Sequence, residues 1–467
     1  MTVKTIGIMT GNSLDAVDTV LTEFDNGRMT DLTAHTIKYP EELTQAIIRL
    51  RSELIAHHGD TGFLENNPFF DQTLTAYTRL IARTINELCA RSGIDKAGIA
   101  ALGLHGQTCD HFPPSIAAGQ APYTLQIADA ALLANETDIP VIYDFRSDDL
   151  MNGGEAAPLA PIHNRHIALD LKTKGVFPVA FCNAGNTGNI TLISEDSHAH
   201  ETVMGWDIGP FNHFADLLMR TQKGLSCDMD GDFGRQGKII PDLLSDLFDT
   251  AAVTNKKQNF YLQKPPKSSD PSWYRLNIEK ACAVYGFENV LRTAEYLSAY
   301  TYVHTLGFVP EHIKMPNTFL LFGGGWKNPL IRRDFQTLLN KEGFILDRHR
   351  PLFAQIRRRF AQVPYVDFSD RFGYSGEYME ARIFADMARC RIIGEPFSLP
   401  ETTGCRCPTV AGIYVLPSSG KKYLLNDLFD HYHTADLIDN NWHKKYSRAA
   451  KGWQNKKSQS VSFAAKL

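Results

Sequence analysis

The sequence predicts an α/β protein of two or three domains, and three observations predict it. Short apolar, strand-like runs alternate with helical patterns along most of the chain, as they do where helices cover a sheet. The 467 residues exceed the usual length of one domain. Apolar residues at 43 % and charged residues at 21 % supply material for large cores beneath an ordinary polar surface.

The same numbers exclude several classes. A formal net charge of −4 gives no electrostatic bias toward nucleic acid or an anionic membrane. The eight cysteines have no framework spacing, which fits reduced thiols. The start, MTVKTIGIMTGNS, lacks the basic and long apolar parts of a signal peptide. No apolar stretch reaches the ~18 residues of a spanning helix. The expectation is a soluble, cytoplasmic protein with neither nucleic-acid nor membrane partners.

Taken in order, TIGIMTGNSLDAVDTVLTEF reads as strand, glycine turn and second apolar run. Residues 72–92 place apolar side chains at helical spacing and stop near Gly93. AGIAALGLHGQT is a short buried strand ending in a polar loop. Residues 124–149 give a helix, the Asp-Ile-Pro break and the strand Val141-Ile142-Tyr143. VFPVAFCNAGNTGNITLIS reads as two strands around a Gly/Asn turn. GWDIGPFN, at 205–212, reads as a tight turn after the strand-like ETVMGW, with Asp207 at its lip where the strand ends, followed by a helix. Residues 225–240 are acidic and glycine-rich, and 252–274 read as a polar, Pro-rich excursion. ENVLRTAEYLSAYTYVHTL is a helix, TFLLFGGGWKNPLIRRDFQTLL is strand, triple glycine and helix, and YMEARIFADMARCRI is a helix with Glu380 near its start. From His443 to the end seven Lys/Arg stand without an acid, a solvated basic tail. The domains are expected at 1–145, 146–390 and 391–467, the last segment returning to the first domain.

Three glycine-rich turns follow apolar runs: GNSLD at 11–15, DIGPFN at 207–212 and GGGWKN at 323–328. Such turns bring backbone N–H groups close to an anion. Neither GxxxxGK[ST] nor GxGxxG is present at them, so a Walker loop and a dinucleotide fingerprint are disfavoured. Phosphoryl transfer needs a group that holds a metal and a group that deprotonates or orients the nucleophile. Asp15 and Asp207 are the candidate carboxylates for both, Mg²⁺ included, although a lone turn Asp is commonly an Asx-turn or helix cap. Thr108 in HGQT and Arg146 in DFRSDD have the chemistry to bind a sugar or carboxylate. Arg146 has the alternative of a structural ion pair with Asp144 or Asp148, and His105 that of a structural hydrogen bond. Glu380 is either a first-turn acid matched to the helix dipole or a ligand contact. The CxC at Cys405 and Cys407 and the HxH at His431 and His433 lack zinc-site spacing.

Together GIMTGNSLDAVD, GLHGQT, TLQIADAALLANETDIPVIYDFRSDDLMNGGEAAPLAP, NAGNTGNITL, GWDIGPFN, DMDGDFGRQGKI, PPKSS, LFGGGWKNP and EYMEARIFA resemble the anhydro-N-acetylmuramic acid kinase family, from residue 5 to residue 416. The resemblance implies a two-domain actin-like ATPase fold of ribonuclease H-like α/β domains with a central cleft. It implies ATP and Mg²⁺, and phosphorylation at O6 of 1,6-anhydro-N-acetylmuramic acid as water opens the anhydro bridge. The product is N-acetylmuramic acid 6-phosphate in peptidoglycan recycling, and the assembly a homodimer. Carried over, Gly11, Asn12, Ser13, Leu14, Asp15, Ala16, Val17 and Asp18 would bind ATP phosphates. Gly209 would border a second phosphate loop, and Gly323, Gly324, Gly325 and Asn328 would sit near the nucleotide. Thr108, Arg146 and Glu380 would line the sugar site, with Asp207 as general base. The family's usual SGTSLDG, NIGGIANIT and DTGPGN are TGNSLDA, NAGNTGNIT and DIGPFN here, which sets Ile208 and Phe211 in a phosphate-facing turn. A kinase of another anhydrosugar such as levoglucosan, and a non-catalytic nucleotide- or sugar-binding descendant, are the alternatives.

Overall fold

A computed structural model of the chain describes residues 2–11, 14–57, 60–117, 121–250, 252–253, 258–269, 273–340 and 343–418. The chain divides into two compact units. One comprises Met1–His166 and the chain from Tyr378 on; the other is Ile167–Glu377. Both divisions differ from the sequence expectation of 145/146 and 390/391. The first falls inside the helix Ala160–Thr173 and the second just ahead of the helix Met379–Ile393, so no loop composition marks the first.

The first unit is built on β1 (Val3–Thr10), β2 (Ala16–Asp25), β3 (Arg28–Lys38), β4 (Ala101–Leu104) and β7 (Val141–Tyr143). A separate hairpin pairs β5 (Gln107–Phe112) with β6 (Tyr123–Ile127). The main sheet runs in the order β3-β2-β1-β4-β7, with β2 antiparallel to its neighbours and β1, β4 and β7 parallel.

The second unit contains β8 (Val179–Ala184), β9 (Thr187–Glu195), β10 (Glu201–Pro210), the small pair β11 (Ala252–Val253) and β12 (Gln258–Asn259), β13 (Thr318–Phe322) and β14 (Tyr365–Phe368). Its sheet runs β10-β9-β8-β13-β14, with β9 antiparallel and β8, β13 and β14 parallel. This is the strand order and polarity of the first unit repeated. Two copies of the ribonuclease H-like 3-2-1-4-5 sheet are the actin-like arrangement. β15 (Ile413–Val415) adds to the free side of β7.

Glycines fix where the helix Met379–Ile393 lies. Gly7 and Gly103 are neighbours across β1 and β4. A Cβ on Gly7 would stand 1.8 Å from the Ala381 carbonyl oxygen, and one on Gly103 2.0 Å from that of Phe384. The helix backbone therefore rests on the sheet itself, a contact only glycine permits, and Thr5 Oγ1 donates to the Ala385 oxygen at 2.7 Å. That contact sets Glu380, on the helix's first turn. The helix Pro68–Ser92 starts earlier than its apolar spacing predicts, because Asn67 Oδ1 accepts from the Phe69 and Phe70 N–H groups. It ends as expected at Gly93, with φ of 66°. Among the described residues no helix is long and apolar enough to cross a membrane.

Candidate active site

In each unit the predicted residues gather at the carboxyl ends of the parallel strands, where open α/β sheets hold ligands. In the first unit the β1–β2 turn, His105 after β4 and Arg146 after β7 share that edge. Gly11 keeps its carbonyl inward, accepting from the Leu14 N–H at 3.2 Å and Gln107 Nε2 at 3.4 Å. Asn12 and Ser13 lie outside the described residues. Leu14, at φ of 57°, and Val17 are buried in the core, so neither side chain serves a ligand. Val17 and Asp18 lie in β2, paired on both sides by β1 and β3, and Ala16 opens that strand opposite Lys38 of β3. The turn proper is thus shorter than 11–18, and Asp15 is its exposed acid.

Arg146 Nε donates to His105 Nε2 at 3.1 Å and Nη1 donates to the Ala156 carbonyl at 2.6 Å. Burial first, and then the Arg146 charge, push His105 well below the usual imidazole value, which keeps it a neutral acceptor. Glu380 is reached by solvent yet crowded by protein. That crowding, and then the charge of Asp18, raise its carboxyl, and Arg146 pulls the other way. Asp18 itself accepts from Thr36 Oγ1 at 2.7 Å. The structure therefore joins Asp18, Arg146 and Glu380 electrostatically. Thr108 stands at a bulge of β5, where its Oγ1 accepts from Gln126 Nε2 at 3.4 Å.

In the second unit Asp207 lies within β10, not at the lip of a turn. Both faces of that strand are buried near its end, which hides the alternation that would have revealed it. Register slips between Asp207 and Gly209, so Ile208 bulges out of the ladder. Gly209, at φ of 125°, makes the bulge affordable, and a Cβ there would press Tyr261 at 2.8 Å.

The segment 252–274, expected to be an excursion, supplies the partners of Asp207. The Ser269 N–H donates to Asp207 Oδ2 at 2.9 Å and Ser268 Oγ does so at 3.2 Å. The Asp207 N–H in turn donates to the Lys267 carbonyl at 3.0 Å. Lys267 is buried; its Nζ donates to the Phe260 carbonyl at 2.9 Å and lies 4.5 and 5.0 Å from the Phe260 and Phe308 ring centres. Burial lifts Asp207 to about 6 against the pull of the serines and Lys267, and burial lowers Lys267 to about 7. Sequence reasoning gave Lys267, Ser268 and Ser269 no role, and PPKSS was their one signal.

The expected phosphate-facing turn is corrected at two positions. Ile208 and Phe211 are both 2 % exposed, and Phe211 packs on Tyr302 and Trp326 with ring centres 5.4 and 4.8 Å away. The backbone N–H groups of Phe211 and Asn212 are spent on the carbonyls of Asn186 and Gly185. Phe in place of glycine serves the core and leaves no bulk at the surface of the turn.

Two of the three glycines at 323–325 answer to packing. A Cβ on Gly323 would stand 2.7 Å from the Ala184 carbonyl oxygen, and one on Gly325 would stand 2.1 Å from Asn212 Oδ1. A Cβ on Gly324 meets no atom within 4 Å, so this glycine faces open space. Asn328 is engaged inside the unit: Nδ2 donates to Glu295 Oε1 at 2.8 Å, and Oδ1 accepts from the Leu330 N–H at 2.9 Å.

The family model described as anhydro-N-acetylmuramic acid kinase matches residues 3–345. A relative named for that activity in Ralstonia nicotianae is 31 % identical over 418 residues, covering 87 % of this chain and 96 % of its own. One from Idiomarina loihiensis is 30 % identical, covering 88 % and 98 %, and one from Rhodopseudomonas palustris is 29 % identical, covering 88 % and 99 %. With motifs, repeated sheets and near-complete coverage in agreement, the chain belongs to the anhydro-N-acetylmuramic acid kinase family of sugar kinases.

Proposed function

We propose that the chain is an ATP-dependent kinase of 1,6-anhydro-N-acetylmuramic acid, acting in cell-wall recycling as a cytoplasmic homodimer. The observation that carries the reading is Asp207: a nearly buried carboxyl, fixed by two serine donors, that is ionised at neutral pH yet basic enough to take a proton. Asp207 removes a proton from water, and the hydroxide oxygen bonds to the anomeric carbon. The bond from that carbon to O6 breaks, O6 bonds to the γ-phosphorus, and ADP leaves. Asp207 then returns its proton to solvent. One water and one ATP are consumed, and the product is N-acetylmuramic acid 6-phosphate.

Thr108, Arg146 and Glu380 orient the sugar, so that water and O6 meet their targets in place. The turn that begins at Gly11 and the open Gly324 approach the nucleotide with backbone N–H groups. Mg²⁺ bound with the nucleotide would neutralise phosphate charge. Asp15 suits it, as an exposed hard oxygen donor on the phosphate turn, whereas Asp207 Oδ2 is already filled by serine donors and is assigned to proton transfer. A coupled ADP-release assay with anhydro-N-acetylmuramic acid, levoglucosan and no sugar tests the reading. Turnover should require the first sugar, and Asp207→Asn should lower kcat by about 10²-fold or more. Unchanged turnover in that variant ends the base assignment.

A further inference from the structure

The stretch DMDGDFGRQG belongs to none of the roles assigned so far, yet its carboxylate and its glycines are tightly placed. Asp228 is buried and accepts from the Phe233 N–H at 3.0 Å and the Gly234 N–H at 2.8 Å. The loop closes on the helix Phe287–Thr305 at Glu295, which is fully buried. A Cβ on Gly234 would stand 2.1 Å from Glu295 Oε2. On the other side Glu295 Oε1 accepts from Asn328, the residue that ends the glycine turn and caps the helix Pro329–Asn340. A Cβ on Gly231 would likewise stand 3.0 Å from Asn328 Oδ1. One acid thus touches both loops.

We propose that Glu295 is a positioning residue for nucleotide binding, clasping the loop 228–237 to the turn 323–328 through Asp228 and Asn328. The inference rests on the reading that the turn 323–328 serves ATP. Glu295 Oε2 is buried and faces no donor among the described residues. Its neighbour there is Asp228, another acceptor, so the contact holds only when a proton lies between the two carboxyl groups. Burial first, and then Asp228, push Glu295 up to about 8, against the pull of Arg292 and Asn328. Arg292, on the same helix, is committed to Asp334 on the helix Pro329–Asn340 at 2.5 Å, and the Tyr296 ring lies beneath its guanidinium. Arg333, on the helix Pro329–Asn340, joins this set 3.8 Å from the Asp334 carboxylate. As pH rises past about 8 the proton leaves, two carboxylates repel and the clasp opens.

Binding of ATP with Mg²⁺ to the full chain, measured by calorimetry between pH 7.5 and 9.5, tests this. The wild-type Kd should rise roughly tenfold across the range, a coupling of ordinary allosteric size. Glu295→Gln should bind with a flat pH profile, because its amide donates to Asp228 at any pH while its carbonyl still accepts from Asn328. Glu295→Ala should bind weakly throughout. In turnover the effect should fall on KM for ATP and spare kcat. The same alkaline slope in wild type and Glu295→Gln overturns the clasp and leaves the kinase reading standing. Wild type that binds no ATP at any pH overturns both. Near-UV circular dichroism checks that each variant is folded, and the Gln variant decides the matter if the Ala variant is not.

Discussion

Burial pushes both Asp207 and Lys267 toward their uncharged forms, and the opposite charge of each resists that push on the other. Burial alone would carry Asp207 higher; the ammonium and the two serines keep it at about 6. A base must be ionised to act, so kcat/KM should rise with pH through about 6 and then level. Lys267→Met removes the cation, so the Asp207 value rises and the acid limb moves to higher pH, by about one unit. Activity at pH 6 then falls more than at pH 8. A pH–rate profile of the two proteins checks this, and an unmoved limb would show that Lys267 serves only to anchor its loop. Asp207 was legible from its place in GWDIGPFN. Its partners were not, because 60 residues of chain separate them and nothing local in PPKSS announces which acid it covers.

At the scale of elements, glycine placement was legible and its meaning was not. The triple glycine at 323–325 reads as one phosphate-binding turn, yet the structure divides it. Gly323 and Gly325 are set by the end of the β8–β9 hairpin and by Asn212, and Gly324 alone faces open space. Gly325→Ala should therefore cost about 1–3 kcal/mol as overpacking and lower Tm by several degrees. Gly324→Ala should leave Tm nearly unchanged and raise KM for ATP. Calorimetric melts and nucleotide titrations separate the two. Equal stability losses would contradict the division. The strands of both hairpins, β1–β2 and β8–β9, were readable because a polar turn interrupts two apolar runs. The start of β10, ETVMGW, was readable as a strand, whereas its last residues read as a turn because they are buried on both faces and include Gly-Pro.

The whole molecule repeats one sheet order in two units, and each brings its candidate site residues to the same strand ends. Alternation of strands and helices predicted the class, but the division inside the helix Ala160–Thr173 had no signature in composition. At that point stands a buried charge network within the first unit. Asp386 accepts from His163 at 3.0 Å and from His166 at 2.6 Å, and Arg389 Nε donates to it at 2.9 Å. Glu395 closes the network, meeting His166 at 3.2 Å and Arg389 at 2.8 Å. Arg389 fills the space beside His166, Asp386 and Cys390, so this cluster is an ion network and not a metal cage.

Burial alone would lower His166, but Asp386 and then Glu395 outweigh it and hold the imidazole at about 9. It binds its proton more tightly folded than unfolded. Its stabilisation is therefore complete below 6.5 and is lost as pH rises through about 9. Glu395, lowered to about 2 by its hydrogen bond from His166, behaves oppositely: its share is complete above 4.5 and is lost as pH falls toward 2. Both contributions are full only between 4.5 and 6.5. Tm should therefore peak in that window and decline toward pH 9. His166→Gln should lower the peak and flatten the decline, since Gln keeps a donor and has no proton to lose. Melts of both proteins from pH 5 to pH 9.5 check this. A parallel decline in the variant would place the alkaline loss elsewhere, with the Asp228–Glu295 pair as the next group whose ionisation weakens the fold over that range.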